Sequence, residues 1–249
     1  MANGSVHGIL VTSGKGGVGK SLFSIGTTAA LARRGPVGLL DIDTRSPNLP
    51  YLLGVTGIAE TDATGRPFPK HVELGGQSVP FFSSAFIYGD EKEITMEGQQ
   101  IQTTIAEMVR EVHWPEGLKW LVLDVDPAPG DSLMAARRWI QHLSAVLVSA
   151  SDVSSVQDCT RMADALDTYG IPVAAVGGNM IGIRVPGFRA LVPYGDEEPV
   201  RRLAGRCRPP APYVGALPLD PVYRTDPVLA VQNQGRAFFD RIADEVVKG

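Results

Sequence analysis

Eleven residues carry the densest chemistry in the chain: Val11-Thr12-Ser13-Gly14-Lys15-Gly16-Gly17-Val18-Gly19-Lys20-Ser21. They fit the phosphate-loop pattern Gly-x-x-x-x-Gly-Lys-Ser. Glycines at 14, 16, 17 and 19 let the backbone wrap an anion without a Cβ in the way. The amide N–H groups from Gly14 through Val18 to Ser21 then point at nucleotide phosphates at the start of the next helix. Lys20 reaches the β- and γ-phosphates, and the Ser21 hydroxyl binds Mg²⁺. The flanks agree with this reading. Ile9-Leu10-Val11 reads as a buried strand, and Leu22, Ile25, Ala29 and Ala32 recur at helical spacing.

Two further acidic sites end apolar runs. Val37 to Leu40 delivers Asp41-Ile42-Asp43, and Trp120-Leu121-Val122-Leu123 delivers Asp124. Ligands of parallel sheets gather at such strand ends. If strand geometry persists past Leu40, Asp41 and Asp43 share a face. Asp41 then orients groups near Mg²⁺, Asp43 positions the attacking water, and Asp124 is the acidic partner of Mg²⁺, directly or through water. Gly130 offers its N–H to the γ-phosphate, so its surroundings change on hydrolysis. Asp126 and Asp131 read equally well as loop acids. Asn179, after the run Val173 to Val176, is placed to bond a purine through its amide, and Leu219-Asp220-Pro221 flanks that pocket. Cys159 sits on a helical apolar stripe and reads as a small hydrophobe. Cys207 lies among Arg206 and Arg208, which would lower its pKa if they are close in the fold.

The elements that position these groups alternate strand and helix. Strands are expected at His7–Thr12, Val37–Leu40, Val79–Phe82, Trp120–Asp124, Ala145–Ser149, Val173–Val176 and Val214–Pro218. Helices are expected from Lys20 to about Arg34, about Glu97 to Val112, Leu133 to His142, Ser154 to Tyr169 with Ser151-Asp152 as cap, Val200 to Ala204, and from Pro227 onward. Pro80 argues for the first residues of its strand or an edge position. Such alternation predicts a three-layer α/β fold with a mostly parallel central sheet flanked by helices. We expect a single domain over 1–249, with residues 57–98 as a variable insertion decorating it and Phe86 to Glu97 as a mobile part of that insertion.

Composition narrows the function classes. Net charge is −4 with 23 basic residues among 249, which excludes an extended nucleic-acid footprint. No apolar run is long enough to span a membrane, and the last residues, Arg241 to Gly249, are mixed in charge, so no stable membrane contact is expected. Two cysteines form neither a disulfide framework nor a Cys-x-x-Cys site, and the expected location is cytoplasmic.

Ser13 to Ser21, with its extra lysine at 15, resembles the deviant Walker A loop of the MinD/ParA/Mrp ATPases. The resemblance implies that Lys15 reaches across a homodimer to the partner's nucleotide, where its charge offsets that developing on the phosphates. Within that class the chain is similar to the Mrp/NBP35 (ApbC-like) family of iron–sulfur cluster carriers. Asp41 to Pro50 resembles the family's first switch, Val79 to Ser83 the strand before its insertion, and Trp114 with Leu121 to Asp131 its second switch. Asn179-Met180 with Leu217-Pro218-Leu219-Asp220 resembles its adenine side, which implies that Pro218 and Asp220 contact the nucleotide. The family's cysteine pair would follow Met180, where this chain has Ile181 to Gly187 without cysteine. The tryptophan–glycine pair of the family's insertion is replaced by Glu97-Gly98. ATP and Mg²⁺ are therefore the expected cofactors, and an iron–sulfur cluster is not. The implied function is a slow ATP-hydrolysing dimeric switch serving a metallocentre or a client protein in assembly. A MinD/ParA-like spatial organiser, a small-molecule kinase or synthetase, and a nucleotide-binding structural subunit are the alternatives.

Overall fold

The computed structural model describes residues 6–44, 46–88, 98–127, 130–185, 187–188 and 190–249. Glu97, Ala128, Pro129 and Pro186, and most of the stretch expected to be mobile between Phe86 and Glu97, lie outside the described residues.

Apolar runs form the strands, in chain order β1 (His7–Thr12), β2 (Val37–Asp41), β3 (Lys70–Leu74), β4 (Gln77–Ser83), β5 (Trp120–Asp124), β6 (His142–Ser149), β7 (Val173–Gly178) and β8 (Tyr213–Ala216). The helices are α1 (Lys20–Ala32), α2 (Leu49–Leu53), α3 (Ala85–Tyr88), α4 (Gln99–Arg110), α5 (Asp131–Trp139), α6 (Val153–Thr168), α7 (Glu198–Arg206), α8 (Val222–Thr225), α9 (Pro227–Gln232) and α10 (Arg236–Lys248). One eight-stranded sheet has the order β3-β4-β2-β5-β1-β6-β7-β8. Every pairing is parallel except β3 with β4. Helices flank this mostly parallel sheet, giving the expected three-layer α/β fold. Central strands are apolar without alternation because both faces are covered: Ile9, Leu10, Val11, Leu121, Val122 and Leu123 are fully buried.

Chain order places the site. From β1 the chain crosses to β2 on one side, and β6 to β8 follow on the other. The carboxyl ends of β1, β2, β5, β7 and β8 therefore open on one rim, at the point where strand order reverses. In the register, Asp124 stands beside both Val11 and Asp41.

Three expectations change. Within 57–98, two segments belong to the sheet rather than lying upon it. These are β3 and β4, and with α3 they bury Val72, Phe81, Phe82 and Phe86 in the core. Pro80 is not on an edge strand. β4 lies between β3 and β2, and Pro80 is tolerated because pairing with β2 begins one residue later, at Phe81. Ser46 to Pro50, which reads as a turn, runs into the short helix α2, with Pro50 in its first turn, where a missing N–H costs nothing.

α1 packs on α9 and α10. Phe23 meets Phe238 and Phe239 edge to face at 5.3 and 5.5 Å, and those two meet each other at 5.2 Å. Gly26 admits the Phe239 ring, since a Cβ there would lie 2.3 Å from it. This aromatic triplet anchors the helix that carries the end of the phosphate loop. Phe239→Ala is expected to lower unfolding free energy by about 3–5 kcal/mol, read from urea denaturation. A change under about 1 kcal/mol would show that the triplet is not the anchor.

Candidate functional site

The loop between β1 and α1 is shaped by two close approaches. A Cβ on Gly14 would fall 1.9 Å from the carbonyl carbon of Asp158, so only glycine lets the loop lie against the backbone of α6. The Gly14 N–H points to the Cys159 Sγ at 3.4 Å, and that thiol donates to the Val148 carbonyl at 3.2 Å. Gly19 has φ +97° and its Cβ would lie 2.2 Å from Asn179 Nδ2. Asn179 donates from Nδ2 to the Val18 carbonyl at 2.8 Å. Its amide nitrogen thus holds the loop.

A cavity of about 400 Å³ opens beside the loop. Gly17, Gly19, Lys20, Ser21, Asn179, Pro218 and Asp220 all line it, uniting the expected phosphate and adenine sides. Asn48, Tyr51, Leu219, Tyr223, Arg224 and Pro227 also stand in the wall. Tyr51, Tyr223 and Pro227 carry no spacing signal in sequence; only the packing of α2, α8 and α9 brings them here. Lys15, Gly16 and Gly130 do not line the cavity. Gly16 has open space around it, and Gly130 precedes α5 in extended backbone.

Lys15 is turned toward its own α6. Its Nζ donates to Ser154 Oγ at 2.7 Å and to Asp152 Oδ1 at 3.4 Å. Asp152 caps α6 by accepting from the Ser155 N–H at 3.0 Å, as the sequence suggested. Hydrogen bonds from Ser155 and Ser154, chiefly, hold its carboxyl well below the usual range.

The acids cluster behind the loop. β2 ends at Asp41, so strand geometry does not carry on to Asp43. Instead the Asp43 N–H donates to Asp41 Oδ1 at 3.2 Å, and Asp43 Oδ1 accepts from the Ser46 N–H at 3.1 Å. Asp41 Oδ2 accepts from Ser83 Oγ at 3.1 Å. Burial, then Asp124, then Asp43 push the Asp41 carboxyl well above its usual value. Asp124 accepts from Ser24 Oγ at 3.0 Å. Burial raises its pKa to about 6, against the opposing pull of Ser21, Lys20 and Ser24. Ser24 and Ser83 were not foreseen; a serine one turn into a helix has no distinguishing spacing.

Buried carboxylates beside a lysine and a serine suit a divalent cation, whose charge would relieve their repulsion. Among the described residues no three His, Cys, Asp or Glu side chains form a closed metal cage. Mg²⁺ needs none, since it keeps waters and phosphate ligands. The thiols are a different matter. Cys159 and Cys207 are both buried. Burial raises the Cys207 pKa to about 11, correcting the lowered value that its arginine neighbours suggested. A four-thiolate cluster has no ligand set here.

The family model described as "ParA: NUBPL iron-transfer P-loop NTPase" matches residues 5–246. The chain belongs to this family. It is a P-loop ATPase of the clade that holds both Mrp/NBP35 and MinD/ParA proteins. The cytosolic Fe-S cluster assembly factor NUBP2 of Rattus norvegicus is 34% identical over 223 residues, covering 86% of this chain and 80% of the relative. An iron-sulfur cluster carrier protein of Deinococcus radiodurans is 30% identical over 227 residues, covering 90% and 62%. The septum site-determining protein MinD of Pyrococcus horikoshii, solved with Mg-ADP, superposes with a TM-score of 0.66 at 18% identity, covering 98% and 96%. A nucleotide-binding protein of Archaeoglobus fulgidus with ADP gives 0.62 at 22%, covering 96% and 87%. These structural likenesses establish the fold.

The raised pKa of Asp124 yields a pH prediction. Its folded value, about 6, lies above the unfolded value of 3.8, so the folded state holds the extra proton. The carboxyl favours folding below pH 4, and that contribution is lost as pH rises through 6. Asp124→Asn should therefore raise the melting temperature of nucleotide-free protein at pH 7.5, by about 2–4 °C per kcal/mol recovered, and leave it nearly unchanged near pH 4. Added Mg-ATP should stabilise the variant less than the wild type. Equal melting temperatures at pH 7.5 would contradict the buried charge.

Proposed function

We propose that this chain is a Mg-dependent, slowly hydrolysing ATPase that works as a nucleotide-gated homodimeric switch. The observation that carries the reading is the pair of loop lysines. Lys20 lines its own cavity, whereas Lys15 stands at the rim, partly exposed and bonded to α6. A lysine of the phosphate loop that does not serve its own cavity is available to a nucleotide held by a second copy.

In this reading the loop amides from Gly14 to Ser21 and the Lys20 ammonium hold the phosphates. Ser21, Asp41 and Asp124 would hold Mg²⁺, which supplies positive charge to the phosphate oxygens. Asp43 orients the attacking water, and its link to Ser46 ties that role to the segment leading into α2. Lys15 must leave Ser154 and Asp152 to cross to the partner. That exchange couples nucleotide state to dimer closure, because the nucleotide shifts the equilibrium only through contacts that differ between states. After hydrolysis those contacts weaken and the dimer opens.

For the biological role, two readings remain in play. One is assembly or delivery of a metallocentre or client protein, supported by the names of the curated relatives. The other is a spatial organiser of the MinD/ParA type, supported by a chain that carries the switch without a cysteine pair. No helix among the described residues is long and apolar enough to cross a membrane. A cytosolic setting fits the relatives' names.

Two variants separate the lysines. Lys20→Ala should weaken ATP binding at least about tenfold, the loss of a charge-assisted hydrogen bond to phosphate. Lys15→Ala should bind ATP nearly as wild type yet fail to dimerise with a slowly hydrolysed analogue, as read by light scattering. Unchanged dimerisation of Lys15→Ala would sink the switch reading.

A further inference from the structure

The segment 58–67 forms, with α3 and α4, the wall of a second cavity of about 390 Å³. Its floor is apolar: Phe82, Phe86 and Met108 line it and are buried. Two large apolar side chains line it while facing solvent, Ile58 at 69% exposure and Ile87 at 38%. None of the residues assigned to ATP stands in this wall. Its size and its apolar lining with a few polar groups are those of a ligand pocket.

Hydrogen bonds fix the wall. The Ala59 N–H donates to the Phe86 carbonyl at 2.9 Å, and the His113 N–H donates to the Pro67 carbonyl at 2.9 Å. Between these ties, Asp62 Oδ1 accepts from the Thr64 N–H at 2.8 Å and from the Arg66 N–H at 3.0 Å. Asp62 Oδ2 meets His113 Nε2 at 2.7 Å. The segment is thus held to α3 at one end and to the chain just past α4 at the other. A ligand meets a wall already in place and need not order it.

The occupant follows from the charges at the mouth. Arg66 Nε lies 3.5 Å from Glu111 Oε2 and donates to the Glu111 carbonyl at 3.2 Å, so that cation and that carboxylate answer each other. Glu107, one turn earlier on α4, lines the same cavity, is exposed and has no ion pair among the described residues. The excess charge beside the apolar floor is negative and complements a cation. The apolar rim of Ile58 and Ile87 continues the contact surface outside the cavity. A pocket for one apolar anchor, ringed by further contacts, is the form of a protein-recognition hot spot.

We infer that this cavity docks a short segment of a client protein, which seats one large apolar side chain on Phe82, Phe86 and Met108 and sets a lysine or arginine against Glu107. The docking site stands on its own geometry; its coupling to nucleotide rests on the Mg²⁺ role proposed above for Asp41. Phe82 is followed by Ser83, whose Oγ donates to Asp41 Oδ2 at 3.1 Å and accepts from the Ala85 N–H at 3.3 Å. One hydroxyl therefore joins the first turn of α3, which carries Phe86 and Ile87, to an acid of the nucleotide site. An occupant that shifts α3 alters the support of Asp41, and by linkage the nucleotide alters affinity for the occupant.

The test selects binders from a displayed library of random heptapeptides on the immobilised full chain, then measures the strongest as a labelled peptide by fluorescence anisotropy. The enriched peptides should share a large apolar residue close to a lysine or arginine. Ile58→Asp and Glu107→Lys, both at exposed positions, should each weaken the peptide at least about tenfold, the loss of an anchor contact or a charge pair, and bind ATP as wild type. Mg²⁺ with a slowly hydrolysed ATP analogue should change the wild-type affinity at least about fivefold. If no peptide is enriched, or the enriched ones lack that pattern or bind both variants as tightly as wild type, the docking site is wrong. If the peptide behaves as expected and the analogue leaves its affinity unchanged, the coupling through Ser83 is wrong and the docking site stands. If the analogue binds without regard to Mg²⁺, the role of Asp41 falls, and the peptide measurements still decide the docking site.

Discussion

The site depends on how closely one loop can lie against its surroundings. Gly14 rests on the backbone of α6, and Gly19 lies under the Asn179 amide. Asn179, just past the carboxyl end of β7, in turn holds the Val18 carbonyl. Three parts of the chain distant in sequence therefore define one curve of backbone, and its amide groups can converge on an anion without reorganising. A side chain at either glycine would push the loop away from α6 or β7 and spoil the cradle before any catalytic group is considered.

The same compactness sets the electrostatics. β2 and β5 are neighbours in register, so Asp41 and Asp124 end side by side in the core. Burial raises both carboxyls first; the charges of Asp124 and Asp43 add to the rise at Asp41, and that of Asp43 to the rise at Asp124. Folding tolerates this charge because the aromatic packing of α1 on α10 and the apolar centre of the sheet supply ample burial. A fold that is locally unfavourable where it binds its ligand is consistent with a site whose charge is completed by that ligand.

From that centre the structure leads outward by short steps. The cavity wall at Leu219 and Asp220 meets Ile183 and Arg184, Gly195 lies against Ser151, and Asp152, the cap of α6, holds Lys15 with Ser154. The nucleotide cavity and the surface around Lys15 are thus parts of one contact network. The buried thiols take no part in that surface. Cys159 supports the loop and Cys207 closes α7 within the core.

The phosphate loop, the acids at the ends of β2 and β5, and the α/β alternation were legible in the sequence because each depends on local spacing. A glycine-rich turn, an apolar run ending in aspartate and a 3.6-residue stripe are readable without knowing what lies opposite. Sequence alone also placed Asp152 as the cap of α6, since capping is a contact over three residues. Tertiary structure decided the rest. Asn179 grips Val18 across 161 residues, Gly14 meets Cys159 across 145, and Ser24 and Ser83 bind acids from other strands. It placed β4 between β3 and β2 in the sheet, although residues 57–98 read as decoration. It also reversed the expectation for Cys207, whose sequence neighbours are cations but whose thiol is buried in the core. The physical reason is common to these cases. Periodicity tells which face of an element is apolar, but desolvation and close backbone approach depend on which other element arrives there, and only the folded chain sets that.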